Sequence, residues 1–427
     1  MLRDFMNSIR KDIFFNKSIF LIYIFVGGCI TTPKILFEDP VDTKNKRISI
    51  QEKKTFSFEE AGVYFSNEFQ GARLNDVIKK NDTCFIISIL PENQPINPSP
   101  FYAFEVWSKI PKNIVLEFNY PEGYKHRYFP KILSDGNWLI SDSASFQEIN
   151  SQRILKLSLD SIPIIVSGQE LNNSEIVYSW VKEVINGREN YVSFKKIGKS
   201  KLKRPFMVID INKGRPSKKP IIVLITRQHP PEVTGYFAFK SFLKTILDDN
   251  ELSSAFLEKF RVLAFPLMNP DGVDLGHWRH NAGGIDLNRD WSAYNQKEIK
   301  TTVDFISKIL KKNDSKLVLG IDFHSTFYDV FYTNEERAST SMPYFLDNWF
   351  SSLEENIPNY VVNEQPSVSK QPVSKGWFLK AHRAVGIVYE IGDNTPRDRI
   401  QLIGEKSALS MMKIMLDMSN PLKSEIK

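Results

Sequence analysis

A histidine and a glutamate stand three residues apart in Arg227-Gln228-His229-Pro230-Pro231-Glu232, directly after the apolar run 220–225. Imidazole and carboxylate so placed at a strand end can share one zinc ion and leave coordination positions open for water. With six histidines in the chain, such a pair arises by chance often enough that alone it decides nothing. A third candidate ligand, His324, closes the run Gly320-Ile321-Asp322-Phe323-His324-Ser325. Two histidines and one glutamate form the ligand set of hydrolytic zinc sites that keep an open position. Taken singly, each has a plainer reading: His324 as a strand-end histidine bonded to backbone, Glu232 as a carboxylate favoured by a helix dipole.

Between these ligands lie Asn269-Pro270-Asp271-Gly272, a turn by composition, then Trp278-Arg279, Gly283-Gly284 and Asp286-Leu287-Asn288-Arg289-Asp290-Trp291. Two arginines and an asparagine in one glycine-containing loop suit a planar anion, because guanidinium grips carboxylate with two parallel hydrogen bonds. The plainer reading is surface charge on a long loop. In Val388-Tyr389-Glu390-Ile391-Gly392 a carboxylate interrupts an apolar run. Burial there would raise its pKa toward the range of a general base, and a structural ion pair is the equal alternative. His126 and His382 fit core or surface roles, while His277 and His280 flank Arg279 closely enough to line a cleft.

Residues 48–159 show short strand-like runs, among them 83–90, 101–107 and 114–120, cut by Pro91-Glu92-Asn93 and Pro98-Ser99-Pro100. This spacing predicts an antiparallel β-sandwich. From about residue 172 the pattern changes to alternating strands and helices. It predicts helices over 174–185, 233–247, 298–310, 342–353 and 404–418, and strands over 221–226, 262–267, 317–323 and 386–391. Such alternation predicts an α/β fold: a mixed, largely parallel sheet with helices on both faces, whose reacting groups gather beyond the carboxyl ends of strands.

The N-terminus reads as an export signal: a basic lead to Lys17, an apolar stretch 18–26, then Gly27-Gly28-Cys29. The apolar stretch is too short to span a bilayer comfortably. Val26-Gly27-Gly28-Cys29 resembles the bacterial lipobox, with Cys29 as the lipidated residue, and an ordinary cleaved signal or short anchor is the alternative. The resulting division is a signal peptide at 1–28, lipidated N-terminus and linker at 29–47, sandwich at 48–165, α/β domain at 166–420 and tail at 421–427. The net charge of +6 is small and diffuse, which argues against nucleic-acid binding. The other cysteine, Cys84, reads as a buried small hydrophobe.

The ordered series His-x-x-Glu, Asn-Pro-Asp-Gly, Arg279, Asp-Leu-Asn-Arg, Asp-Phe-His and Glu390 resembles the M14 zinc carboxypeptidases over residues 172–419. Gly71-Ala72-Arg73, Pro91-Glu92-Asn93, Pro100-Phe101-Tyr102-Ala103-Phe104 and Tyr128-Phe129-Pro130-Lys131 are similar to the sandwich that precedes the catalytic domain in the cytosolic-carboxypeptidase branch. The resemblance implies one zinc ion per chain on His229, Glu232 and His324. It makes Glu390 the base that deprotonates the attacking water and later protonates the leaving amine, Arg279 the oxyanion stabiliser, and Asn288 and Arg289 the clamp on a free terminal carboxylate. Two departures stand out. Family members often carry a mobile tyrosine about twenty residues before the catalytic glutamate; the segment 367–375 contains none, although Trp377 and Tyr389 are nearby. A residue some fifteen positions before that glutamate lines the side-chain pocket, and here it is Lys375. A lysine there favours an acidic side chain, unless it is simply solvated.

The expected activity is a zinc-dependent exopeptidase of the bacterial cell envelope, anchored by lipid and facing periplasm or exterior. Its substrates would be peptides with a free C-terminal carboxylate, acidic or peptidoglycan-derived ones included. A zinc amidohydrolase acting on N-acyl amino acids is the enzymatic alternative, and a non-catalytic binding protein on the same fold is the third. The Arg289 grip argues against the former, and the complete set of ligands and base against the latter.

Overall fold

The computed structural model describes residues 34–149 and 152–419, so the signal-like segment, Cys29 and the tail from 421 lie outside the described residues. The first eleven strands are Thr55–Phe58 (β1), Val63–Ser66 (β2), Asp76–Asn81 (β3), Cys84–Ser88 (β4), Ala103–Ser108 (β5), Lys112–Asn119 (β6), Lys131–Ser134 (β7), Asn137–Ile140 (β8), Phe146–Ile149 (β9), Gln152–Leu159 (β10) and Ile164–Ser167 (β11). They form a six-stranded sheet ordered β1-β2-β5-β11-β7-β8 and a five-stranded sheet ordered β3-β4-β6-β10-β9. Phe65, Phe104 and Val106 of the first sheet share one core with Phe85, Ile87, Leu116 and Leu155 of the second. The pairing is antiparallel except between β4 and β6, which run parallel and so depart from the uniform antiparallel expectation. β4 alternates between outward and inward side chains, and Cys84 takes the outward, half-exposed side with Sγ 3.4 Å from Glu117 Oε1. That corrects its reading as a buried hydrophobe.

The remaining elements are α1 (Ser174–Ile185), β12 (Val192–Lys199), β13 (Pro205–Ile211), β14 (Ile221–Thr226), α2 (Val233–Ile246), α3 (Glu251–Lys259), β15 (Arg261–Phe265), α4 (Pro270–Asp274), α5 (Lys297–Asn313), β16 (Leu317–Thr326), β17 (Val330–Thr333), α6 (Phe345–Asn356), β18 (Glu364–Pro366), α7 (Ser374–His382), β19 (Val385–Gly392) and α8 (Arg397–Met418). The sheet order is β12-β13-β15-β14-β16-β19-β17-β18. Its centre, β15-β14-β16-β19, is parallel. On either side β13 and β17 turn antiparallel to it. A strand covered on both faces must be apolar throughout, and β14 is buried at every position. Ile222 and Leu224 pack in the cluster that holds α2 and α8, while Ile221, Val223 and Ile225 pack with side chains of α5 and α7.

Two segments differ from simple expectation. Asn269-Pro270-Asp271-Gly272 is not a free turn but the start of α4: Asn269 Oδ1 accepts the Gly272 N–H at 2.9 Å, and Pro270 occupies the first turn, where its missing N–H costs nothing. Residues 34–54 carry no helix or strand, yet the stretch 35–46 is laid along the α/β domain, and Ser49 and Lys53 then bond the sandwich. Ser292 Oγ donates to Ile35 O at 2.6 Å, Lys46 N–H to Gly283 O at 2.7 Å, and buried Thr43 bonds Asp290 at 2.5 Å.

Candidate active site

Beyond Thr226 the chain turns at Arg227, a non-glycine residue held at φ 59°. Such a conformation persists where the surroundings over-determine it. Here the buried guanidinium bonds the carbonyls of Pro230 at 2.7 Å and Asn172 at 3.3 Å. His229 is carried past the strand end, and Glu232 becomes the residue before α2. Its carboxylate makes no cap bond. Instead it lies 2.8 Å from His229 Nδ1 and 2.6 Å from His324 Nδ1, the latter supplied by the neighbouring strand β16.

One ligand atom from each of His229, Glu232 and His324 lies within 4.8 Å of the others, and all three residues are buried. The far ring nitrogens are also committed: His229 Nε2 is 2.9 Å from Asp286 Oδ1, and His324 Nε2 is 2.9 Å from Asp322 Oδ2. A carboxylate on the far nitrogen keeps the proton there and aims the Nδ1 lone pair inward, as metal-ligating histidines require. Two imidazoles and one carboxylate, buried and oriented, fit zinc. Burial works against the Glu232 charge, but His229 and His324 outweigh it and keep the carboxyl well below its usual range. Burial likewise opposes the His324 charge, and Asp322 and Glu232 raise it well above that of an ordinary imidazole. A bound cation would compete with the proton that these carboxylates favour on His324.

Glu390 is placed by register: β16 and β19 run parallel with His324 opposite Glu390. Burial, then the Glu232 charge, push its carboxyl up to about 8 against the pull of His324, Arg127 and Arg279. Its Oε2 has no hydrogen-bond partner among the described residues, so the alternative of a structural ion pair is not what the fold makes. Arg279 Nε donates to Asp286 Oδ2 at 2.8 Å. Asp286 thereby orients a candidate ligand and a candidate oxyanion group at once. Asn288 Oδ1 accepts the Ser374 N–H at 2.9 Å, and Arg289 has its nearest carboxylate, Asp286, 3.8 Å away. Glu390, Arg279, Asn288, Arg289, the three metal-fit side chains and Lys375 border one cavity of about 460 Å³.

Lys375 is buried, not solvated. Its ammonium donates to the carbonyls of Thr333 at 2.9 Å and Ser367 at 3.0 Å and to Ser367 Oγ at 3.2 Å, and burial pulls its pKa down to about 8. Several residues near these in sequence do not reach the cavity. Tyr389 points away from the cavity, its hydroxyl 3.3 Å from both Tyr360 and Ser407, and Trp377 donates to Tyr294 at 2.9 Å. Phe327 and Tyr332 are the aromatic rings at the cavity wall. His277 and His280 do not border it: His277 Nδ1 meets His280 O at 2.9 Å, and His280 Nδ1 meets Asn93 Oδ1 at 2.6 Å. His126 is held in the sandwich by Tyr120 at 2.7 Å, and His382 closes α7.

Several contributors escaped sequence reasoning. Asp322 was legible in principle, since residues i and i+2 of a strand share a face and it precedes His324 by two. Arg127 carried no such signal. It reaches from the sandwich to the cavity wall, its Nε bonding Asp393 Oδ2 at 2.8 Å, Nη2 Ser325 O at 3.0 Å and Nη1 Ser99 Oγ at 2.7 Å.

Residues 177–362 match the zinc carboxypeptidase family Peptidase_M14. The chain carries an M14 zinc carboxypeptidase domain. The matched stretch contains the metal-fit triad, Arg279, Asn288 and Arg289, while Glu390 lies beyond it and reaches the site through the β16–β19 register. Cytosolic carboxypeptidase 3 of Mus musculus is 28% identical over 150 residues, covering 34% of this chain and 15% of the mouse protein. Cytosolic carboxypeptidase 2 of Xenopus tropicalis is 32% identical over 111 residues, covering 25% of this chain and 11% of the frog protein. The carboxypeptidase domain thus aligns with only a small part of those long relatives. The metallo-carboxypeptidase from Burkholderia cenocepacia has the same fold at 16% identity, with a TM-score of 0.69 over 83% of this chain and 99% of that one. The Pseudomonas aeruginosa metallo-carboxypeptidase gives 0.66 at 15% identity, over 82% of this chain and 98% of that one. Coverage this wide includes the sandwich as well as the carboxypeptidase domain.

Proposed function

We propose that the chain is a zinc metallocarboxypeptidase that hydrolyses the C-terminal amide bond of peptides. One observation carries the reading: a donor triad that fits zinc, the unpaired carboxyl of Glu390 and the guanidinium groups of Arg279 and Arg289 border a single cavity. Zinc held by His229, Glu232 and His324 would supply Lewis acidity and make water more acidic. Arg289 and Asn288 grip the terminal carboxylate, which selects chain ends over internal peptide bonds. Arg279 faces the carbonyl oxygen as negative charge develops there. Glu390, poised near neutrality, takes the proton of the attacking water and passes it to the leaving amine. Lys375 supports a preference for acidic side chains, peptidoglycan-derived ones included, because a buried ammonium satisfied only by neutral oxygens favours a carboxylate ligand. Lipid anchoring through Cys29 and an envelope location rest on the sequence of residues 1–29 alone.

A peptide-library digest read by mass spectrometry, with and without chelator, tests the reading, with N-acyl amino acids assayed alongside. Expected are removal of C-terminal residues, acidic ones foremost, and loss of activity with chelator. Glu390→Gln should lower kcat by about 10²–10⁴-fold while zinc content is retained. Equal cleavage of C-terminally amidated peptides would reject the exopeptidase assignment.

A further inference from the structure

The loop that carries Arg279 belongs to the carboxypeptidase domain, but the groups that fix its backbone belong to the sandwich. Glu92 is fully buried. Its Oε2 accepts the Trp278 N–H at 2.8 Å, and its Oε1 accepts the Arg279 N–H at 3.0 Å and the His280 N–H at 2.6 Å. Three consecutive amides therefore converge on one carboxylate, and the middle one is that of Arg279. Hydrogen bonds to an ionised acceptor are about twice as strong as neutral ones. Burial opposes the Glu92 charge, but His277, Arg73 and His280 outweigh it and keep the carboxyl below its ordinary range.

Two further contacts lock the same loop. Trp278 is buried within the sandwich core, edge-on to Tyr124 at 5.3 Å. Asn93 bonds His280 Nδ1 at 2.6 Å and donates to Gly284 O at 3.0 Å. The guanidinium end of Arg279 is aimed separately, by Asp286 at 2.8 Å. The side chain is thus held at its root by one domain and at its tip by the other. A displacement of the order of an ångström at such a group can cost two orders of magnitude in rate.

We infer that Glu92 is a positioning residue of the sandwich that sets the backbone of Arg279, making the sandwich part of the catalytic apparatus. The inference rests on the proposed carboxypeptidase reading. It predicts a defect in turnover and not in substrate capture, because Asn288 and Arg289 hold the terminal carboxylate independently of Glu92.

The test is a double-mutant cycle in the full chain, with Glu92→Gln, Arg279→Met and both together, assayed on a free-carboxyl peptide. Glu92→Gln should lower kcat about 10- to 100-fold, somewhat less than loss of an oxyanion donor outright, with KM within about twofold. In the Arg279→Met background the same change should cost nothing further. Independent losses that multiply in the double variant, or an unchanged kcat in Glu92→Gln, overturn the inference, since a merely structural carboxylate would lower both backgrounds alike. If Glu92→Gln does not fold, Glu92→Asp preserves the buried charge beside Arg73 and runs through the same cycle. A wild-type chain that cleaves no free-carboxyl peptide overturns the underlying reading, whereas an active wild type with a multiplicative cycle overturns only the role of Glu92.

Discussion

One carboxylate oxygen of Asp322 accepts from Gln228 Nε2 at 2.5 Å and from Ser374 Oγ at 2.5 Å and stands 2.9 Å from His324 Nε2. It holds the imidazole through the nitrogen that does not face the metal-fit triad. Asp322→Asn should therefore weaken zinc about 10- to 100-fold while the chain stays folded, which chelator competition measures; unchanged affinity would remove Asp322 from the site. Away from that site, Glu298 is the other carboxyl with strong consequences. It is buried in α5, accepts from Asn281 at 3.1 Å, and is pushed by burial from 4.5 up to about 7. Between those values the folded state keeps a proton that the unfolded chain has released, so stability falls as pH rises through that window. Glu298→Gln should flatten this fall, which amounts to ~3 kcal/mol, in denaturant unfolding at pH 5 and pH 7.5. An identical pH slope in the variant would contradict the assignment.

Helix α2 can bring Glu232 to His324 only because Gly235 lets it lie directly on β16. A Cβ at position 235 would come within 2.2 Å of the His324 carbonyl oxygen, a backbone atom that cannot give way cheaply. Gly235→Ala should cost about 1–3 kcal/mol and also weaken zinc, because Glu232 and His324 sit on the two sides of the contact. Differential unfolding with and without zinc separates the two effects; destabilisation with zinc affinity intact would mean that the strand yields elsewhere. The same helix shows what periodicity reveals. Its apolar face and the continuous apolar run of β14 are legible because one period is 3.6 and the other strand is buried on both faces. β17 and β18 are short strands at one edge, with no run long enough to be read. β12 mixes lysines with half-buried residues, as an edge strand can afford to, and gave no alternating signal.

At the scale of the molecule, Arg127 joins the sandwich to the ends of the two strands that carry His324 and Glu390. Its guanidinium and the Asp393 carboxylate are almost wholly buried and pair at 2.8 Å. Arg127→Met leaves Asp393 buried without its partner, which should cost about 3–5 kcal/mol, whereas Arg127→Met with Asp393→Asn should cost less than that single change. Chemical denaturation of the three variants checks this; a double variant as unstable as the sum of the two would deny the pairing. The sequence by itself determined the chemistry on offer: the ordered His229, Glu232, His324, Arg279, Arg289 and Glu390, and the switch from short strands to alternating strands and helices. It could do so because motif spacing and hydrophobic period are local properties of the chain. Only the tertiary structure decided that Glu390 stands beside His324, that Lys375 is buried, that Asp286 serves both His229 and Arg279, and that Glu92 and Arg127 of the sandwich complete the site. Those contacts join residues up to 266 positions apart, and no local pattern encodes which distant strand end or loop a buried charge will meet.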